Sequence, residues 1–184
     1  MTYFSTPFKY GRKTKAEIDA ITTSGLQIGD NVFNTDINKE EFWTGTNWIN
    51  DDCIEVKNTE GSSLSLGDVV CLSPYEQFST EACCIKANFN DRLRFIGIVY
   101  RGGINNSKVV IATKGKYKVK FNSGVGSVTR QHIIQIASFP NYGEVISTGS
   151  KTGGFGSIGA IAESYAVMPI DYLIYCWIGS AEVY

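Results

Sequence analysis

Lys116-Tyr117-Lys118-Val119-Lys120-Phe121 alternates a charged residue with an apolar one over six positions. Side chains on a strand point to opposite faces with a period of two. The stretch therefore reads as a strand with Tyr117, Val119 and Phe121 turned inward and a row of lysines outside. Lysines in such a row also discourage pairing with a foreign strand. Working outward, nine more short segments have the same character: Cys53–Lys57, Gly67–Leu72, Glu81–Ala87, Phe95–Tyr100, Lys108–Thr113, His132–Ala137, Gly143–Thr148, Ile158–Ser164 and Tyr172–Ile178. Turn signals such as Thr59-Glu60-Gly61, Gly102-Gly103 and Lys114-Gly115 separate them. Short strands at this spacing predict an all-β fold, a β-sandwich or barrel-like domain over residues 53–184. The 20 Ile and 13 Val against 6 Leu agree, since β-branched side chains are stiff at χ1 and suit a pleated surface. So many brief strands leave edges to cover, and the expectation is that identical copies cover them.

Residues 25–52 form a smaller module. Val32-Phe33-Asn34-Thr35 reads as a strand, Asp36 to Lys39 as a turn and Glu41-Phe42-Trp43 as the return strand. Gly45-Thr46-Asn47 makes a second tight turn before Trp48-Ile49. The result is a β-meander with an aromatic face, too small to be secure by itself. Two uses are open for Phe42, Trp43 and Trp48. They can stack on sugar rings, or they can form the meander's own core, the commoner fate of such aromatics. Residues 1–24 precede it as an extended arm followed by a short helix. Thr14-Lys15-Ala16-Glu17 matches a capping box opening a helix over roughly Lys15 to Ala20.

Charge is distributed in blocks. Residues 1–15 carry four bases and no acid, residues 16–60 ten acids and two bases, and residues 61–135 ten bases and four acids. The overall near balance, 17 basic against 18 acidic residues, argues against a general binder of nucleic acid or membrane surface. The blocks suit complementary faces that meet between subunits. The five cysteines, Cys53, Cys71, Cys83, Cys84 and Cys176, contain no CxxC pair. They read as reduced, small apolar fillers, in keeping with assembly in a reducing cytoplasm. The first twenty residues do not resemble a signal peptide.

Candidates for chemistry are few. His132 is the only histidine, and period-two spacing puts it on the face of Ile134 and Ile136, as a core or interface residue. Gly154-Phe155-Gly156-Ser157-Ile158-Gly159 matches GxGxxG, but strands follow it and not the βαβ unit that a dinucleotide site needs. The acid pairs Glu40-Glu41 and Asp51-Asp52 read as solvated surface. Neither catalysis, nor a metal, nor a cofactor is expected.

Gly29-Asp30-Asn31-Val32-Phe33-Asn34-Thr35 with Phe42-Trp43-Thr44-Gly45-Thr46-Asn47-Trp48 resembles a meander common in phage fibre and appendage proteins. Gly67-Asp68-Val69-Val70, Phe95-Ile96-Gly97-Ile98-Val99, Val109-Val110-Ile111-Ala112-Thr113-Lys114-Gly115 and Ile158-Gly159-Ala160-Ile161-Ala162 resemble the successive strands of small β-type capsid-decoration proteins. Taken together, the chain is similar to tailed-phage head-fibre proteins of the crAss-like group. The resemblance implies a virion structural protein at the capsid surface, made in the host cytoplasm. Its expected state is a homo-oligomer, commonly a trimer in such proteins, docked on the major capsid protein or another virion protein. On this reading the basic–aromatic arm, with Tyr3, Phe4, Phe8, Lys9, Tyr10, Arg12 and Lys13, anchors the subunit. The alternative is a tail-fibre subunit that attaches to a host surface glycan.

Overall fold

The computed structural model describes residues 8–74, 81–88, 90, 94–122, 129–136, 143–147, 157–162 and 173–179. The chain is mostly β and divides into two compact units, one ending at Asp51 and the other beginning at Asp52. That boundary lies one residue before the end of the meander module read over residues 25–52. The arm and the helix, however, belong to the same unit as the meander.

In the first unit, β1 (Arg12–Lys13), β2 (Asn31–Asn34), β3 (Lys39–Trp43) and β4 (Trp48–Ile49) form a four-stranded sheet in that order. β1 runs parallel to β2, and the later pairs are antiparallel. The β2–β3 turn places Asn38 at φ 55°, which asparagine tolerates better than most residues. α1 (Lys15–Asp19) starts at the capping box as expected: the Thr14 side chain accepts from the Glu17 N–H, and the Glu17 carboxylate accepts from the Thr14 N–H at 2.7 Å. Five residues make too little helix to stand alone, so packing holds it. Ile18, fully buried, sits with Val32, Trp43 and Trp48, and Tyr10, Ile21 and Leu26 close around them.

The second unit contains β5 (Cys53–Asn58), β6 (Val69–Leu72), β7 (Cys83–Lys86), β8 (Phe95–Arg101) and β9 (Lys108–Ala112). It continues with β10 (Gly115–Lys120), β11 (Ile133–Ile136), β12 (Val145–Ser147), β13 (Ser157–Ile161) and β14 (Leu173–Ile178). The ten segments read from the sequence all appear, with ends moved by one or two residues in most cases. His132 is a correction: it precedes β11, half-buried in a turn where its N–H donates to the Thr129 carbonyl at 3.2 Å.

β5 to β9 close into a barrel in the order β5-β7-β6-β8-β9, with β5 pairing β7 in parallel and β9 antiparallel. This overturns the expectation that copies of the chain must cover these strand edges, because the ring satisfies its own backbone groups. β10 stands at one end of the second sheet. It pairs with β14 in the five-stranded sheet β10-β14-β13-β11-β12, and just past its end Phe121 bridges Val145 in parallel.

These two five-stranded arrangements are the same arrangement twice. Matching β5 to β10, β6 to β11, and so on through β9 and β14 reproduces the neighbour relations, except that the β5–β7 pairing has only the single bridge Phe121–Val145 as its counterpart. Asn58 faces Cys84 as Phe121 faces Val145. Val70 faces Gly97 as Ile134 faces Gly159, and in both pairs the register shifts at the next residue, Cys71 or Gln135. Ile98 faces Ala112 as Ala160 faces Trp177. Gly97 is required at that shift, since a Cβ would come within 2.2 Å of the Ala112 carbonyl oxygen.

Val56, Val70, Cys84, Val99, Val109 and Ile111 fill the first ring, with Leu64. Val119, Phe121, Ile134, Ile136, Val145, Ile174 and Cys176 form a second core, which Val69, Cys71 and Ile98 from the other face of the first ring join. All five cysteines are buried free thiols, in the apolar role expected of them. Burial pushes the Cys84 thiol up to about 12, so it stays protonated and unreactive at neutral pH.

Candidate interaction surfaces

The arm residues split into two groups. Tyr3 and Phe4 lie outside the described residues. Phe8, Lys9, Tyr10, Arg12 and Lys13 are built into the first unit. The Phe33 N–H donates to the Gly11 carbonyl at 2.9 Å and the Thr35 N–H to the Lys13 carbonyl at 2.8 Å, the pattern of a parallel strand. The Phe8 ring lies 5.4 Å from that of Phe33, and the Arg12 guanidinium 4.3 Å from the Phe33 centroid. Tyr10 meets Trp48 edge-on at 5.9 Å. From Phe8 onward these side chains therefore serve their own unit.

Asp30 organises this corner. Its carboxylate accepts from the Gln27 N–H at 2.9 Å, from the Lys9 ammonium at 2.7 Å and from the Tyr10 hydroxyl at 3.4 Å. The backbone N–H of Gln27, and after it Lys9, hold the Asp30 carboxyl below the usual carboxylate range. The Lys9 ammonium is raised in turn, chiefly by its bond to Asp30.

The sugar-stacking reading fails for Trp43 and Trp48. Both indoles are buried against each other, 5.6 Å apart, so neither offers a face to a ligand. Phe42, on the opposite side of β3, is partly exposed and has no aromatic companion described beside it. The acid pairs also need correcting. Glu41 is fully buried and accepts from the Asn34 side chain at 2.9 Å. Asp52 is buried beneath the Tyr117 hydroxyl, 3.4 Å away, and its carbonyl accepts from the Thr113 N–H at 2.8 Å. Only Asp51 of that pair faces solvent.

Two groupings in the second unit were not legible as sites. The first is a charge cluster between the two rings. Asp68, 1% exposed, accepts from the Lys120 ammonium at 2.5 Å and from the Ser65 N–H at 2.7 Å, with the Lys86 ammonium 3.9 Å away. Glu144 stands by the same three groups, and its buried Oε2 has no hydrogen-bond partner. Burial raises its carboxyl above the usual range. Asp68 adds to that effect, while Lys120 and Lys86 oppose it.

The second grouping lies on the outer face of β10 and β14. Lys116 stands opposite Trp177 and Lys118 opposite Tyr175. The two ammoniums lie 4.9 and 5.8 Å from the centre of the Tyr175 ring, within reach of a cation–π attraction. Trp177 is 54% exposed. The signal was present in the alternation of Leu173-Ile174-Tyr175-Cys176-Trp177-Ile178, but it needed the β10 register to show that the aromatic face meets the lysine face.

The GxGxxG glycines Gly154 and Gly156 lie outside the described residues. Among the described residues no group of three or more His, Cys, Asp or Glu is placed to hold a metal ion, and no helix is long and apolar enough to cross a membrane. No protein-family model matches the chain, and a search of curated proteins finds no match.

Proposed function

We propose that this chain is a structural subunit of a tailed-phage particle, a head-fibre or capsid-decoration protein that works as a homo-oligomer on the capsid surface. One observation carries the reading. Three of the four segments that resemble decoration-protein strands are neighbours in one ring: Gly67-Asp68-Val69-Val70 leads into β6, which pairs with β8 at Gly97, and β8 pairs with β9 along Val110–Ala112, while the fourth, Ile158–Ala162, lies on β13 of the second sheet. Degenerate matches scattered by chance would have no reason to assemble side by side. The architecture suits the role, since a closed barrel with a Val-rich interior resists edge-to-edge aggregation in a crowded assembly.

Because the barrel closes within the chain, contacts between copies fall on this reading to side-chain faces, to the ends of the second sheet and to the residues before Phe8. Tyr3 and Phe4 are the anchor residues of this proposal, as aromatic side chains dominate permanent interfaces. The test is deletion of residues 1–7, which spares β1. The intact protein is expected to run at a multiple of 20.2 kDa by light scattering and to co-purify with particles, and the deletion to lose particle binding while staying folded. Unchanged incorporation of the shortened chain would remove the anchor from the account.

A further inference from the structure

The charge cluster at Asp68 sits where the barrel meets the second sheet. Asp68 immediately precedes β6 of the barrel, and Lys120 ends β10 of the sheet, 52 residues further on. Backbone bonds fix the two residues side by side. The Lys120 N–H donates to the Gly67 carbonyl at 2.9 Å, and the Val99 N–H to the Asp68 carbonyl at 2.8 Å. The carboxylate is fixed as well: Asp68 Oδ2 accepts from the Ser65 N–H at 2.7 Å, which leaves Oδ1 to Lys120 Nζ, 2.5 Å away. An ordinary ammonium–carboxylate contact is about 2.7–2.9 Å. Cγ lies one bond beyond Oδ1, so nitrogen and carbon stand at roughly the 3–3.5 Å of a near-attack arrangement.

We propose that Lys120 and Asp68 condense into an isopeptide bond that ties the barrel to the second sheet. A proton first passes from the Lys120 ammonium to Asp68 Oδ1 across their contact, leaving an amine and a carboxylic acid. The Nζ lone pair attacks Cγ, and the N–Cγ bond forms. Nζ then gives up a second proton, the Cγ–Oδ1 bond breaks, and the hydroxyl leaves with that proton as water. The amide keeps one nitrogen-bound hydrogen and Oδ2, and no oxidant or cofactor takes part. Charge that gathers on Oδ2 during attack meets the Ser65 N–H and the Lys86 ammonium, 3.9 Å away. Burial favours the product. Asp68 is 1% exposed and Glu144 Oε2 is buried close by, and in such a corner a neutral amide loses less hydration than two ions do. The bond is independent of the virion reading, since it concerns only how the second unit is held together.

The test is the intact mass of the full chain, purified in the folded state and then denatured. The bond predicts a mass below that of the sequence by one water. Trypsin should leave residues 58–86 joined to residues 119–130, with cleavage after Lys120 blocked. Lys120→Arg keeps the positive charge but cannot form the amide. It should show its full sequence mass and melt below the parent, since a cross-link restricts the unfolded chain. Lys86→Arg should still lose water, which assigns the nucleophile to Lys120. The proposal is overturned if the parent keeps its full sequence mass, if Lys120→Arg loses water like the parent, or if the loss maps to a succinimide within residues 58–86 and not to joined peptides.

Discussion

Gly67 and Gln131 occupy the same position in the two rings. Both have positive φ, 84° and 68°, and in both the next residue donates its N–H to the carbonyl three positions back, Asp68 to Ser65 and His132 to Thr129. One ring meets the demand for a left-handed residue with glycine, and the other meets it with a side chain that dislikes the conformation.

The two sites therefore respond oppositely to substitution. Gln131→Gly should stabilise the protein by about 0.5–1 kcal/mol, the relief of a left-handed non-glycine residue less the added chain entropy. Gly67→Ala should destabilise it by more, because the new Cβ would come within 2.5 Å of Leu173 Cδ2 and 2.9 Å of the Lys120 nitrogen. Urea denaturation of the two variants beside the parent checks both signs.

Glu144 makes the junction of the rings sensitive to pH. Its folded carboxyl titrates above the ordinary 4.5, so between the two values the folded state holds the proton more tightly than the unfolded state. Its contribution to stability is therefore fullest below the ordinary value and falls as pH rises through the raised one. Glu144→Gln should remove that fall, giving a higher melting temperature than the parent at pH 7 and a shrinking difference toward pH 4. Parallel melts across that range would show it.

Asp30 has the opposite sign. Its folded carboxyl is held below the ordinary 3.8, so the stability it confers is present above that value and is lost as pH falls through the lowered one. Asp30→Asn keeps an acceptor for the Gln27 N–H but gives up the charge pairing with Lys9. It should cost less than Asp30→Ala, and its cost should shrink in 1 M salt, where exposed charges are screened.

Trp48 is a core residue with no free face. Trp48→Ala should lower the stability of the first unit by about 3–5 kcal/mol, as large core truncations do. Amide exchange across residues 8–51 should rise with it.

Most of the fold was legible because period-two alternation and turn chemistry are local. Lys116–Phe121 announces its buried face without knowledge of any partner, and Thr14 with Glu17 announces a helix start. The pairing of distant strands was not legible. The rings share Val56 with Val119 and Gly97 with Gly159 at matched positions, but elsewhere Asn58 answers to Phe121 and Ala112 to Trp177, so the repetition lives in backbone register while the side chains have diverged. The burial of Glu41 escaped notice because its Asn34 partner lies across a turn. The arm escaped for a related reason, since Arg12 and Lys13 pair in parallel with Phe33 and Asn34 twenty-one residues away, where no alternation signals a strand.

Electron microscopy of intact particles at side-chain resolution tests the proposed role most directly. The account predicts tandem five-stranded rings in several identical copies on the capsid exterior, with density for Tyr3 and Phe4 against a neighbouring virion protein. Purified particles that lack this chain, with the protein free in the lysate as a monomer, would contradict it.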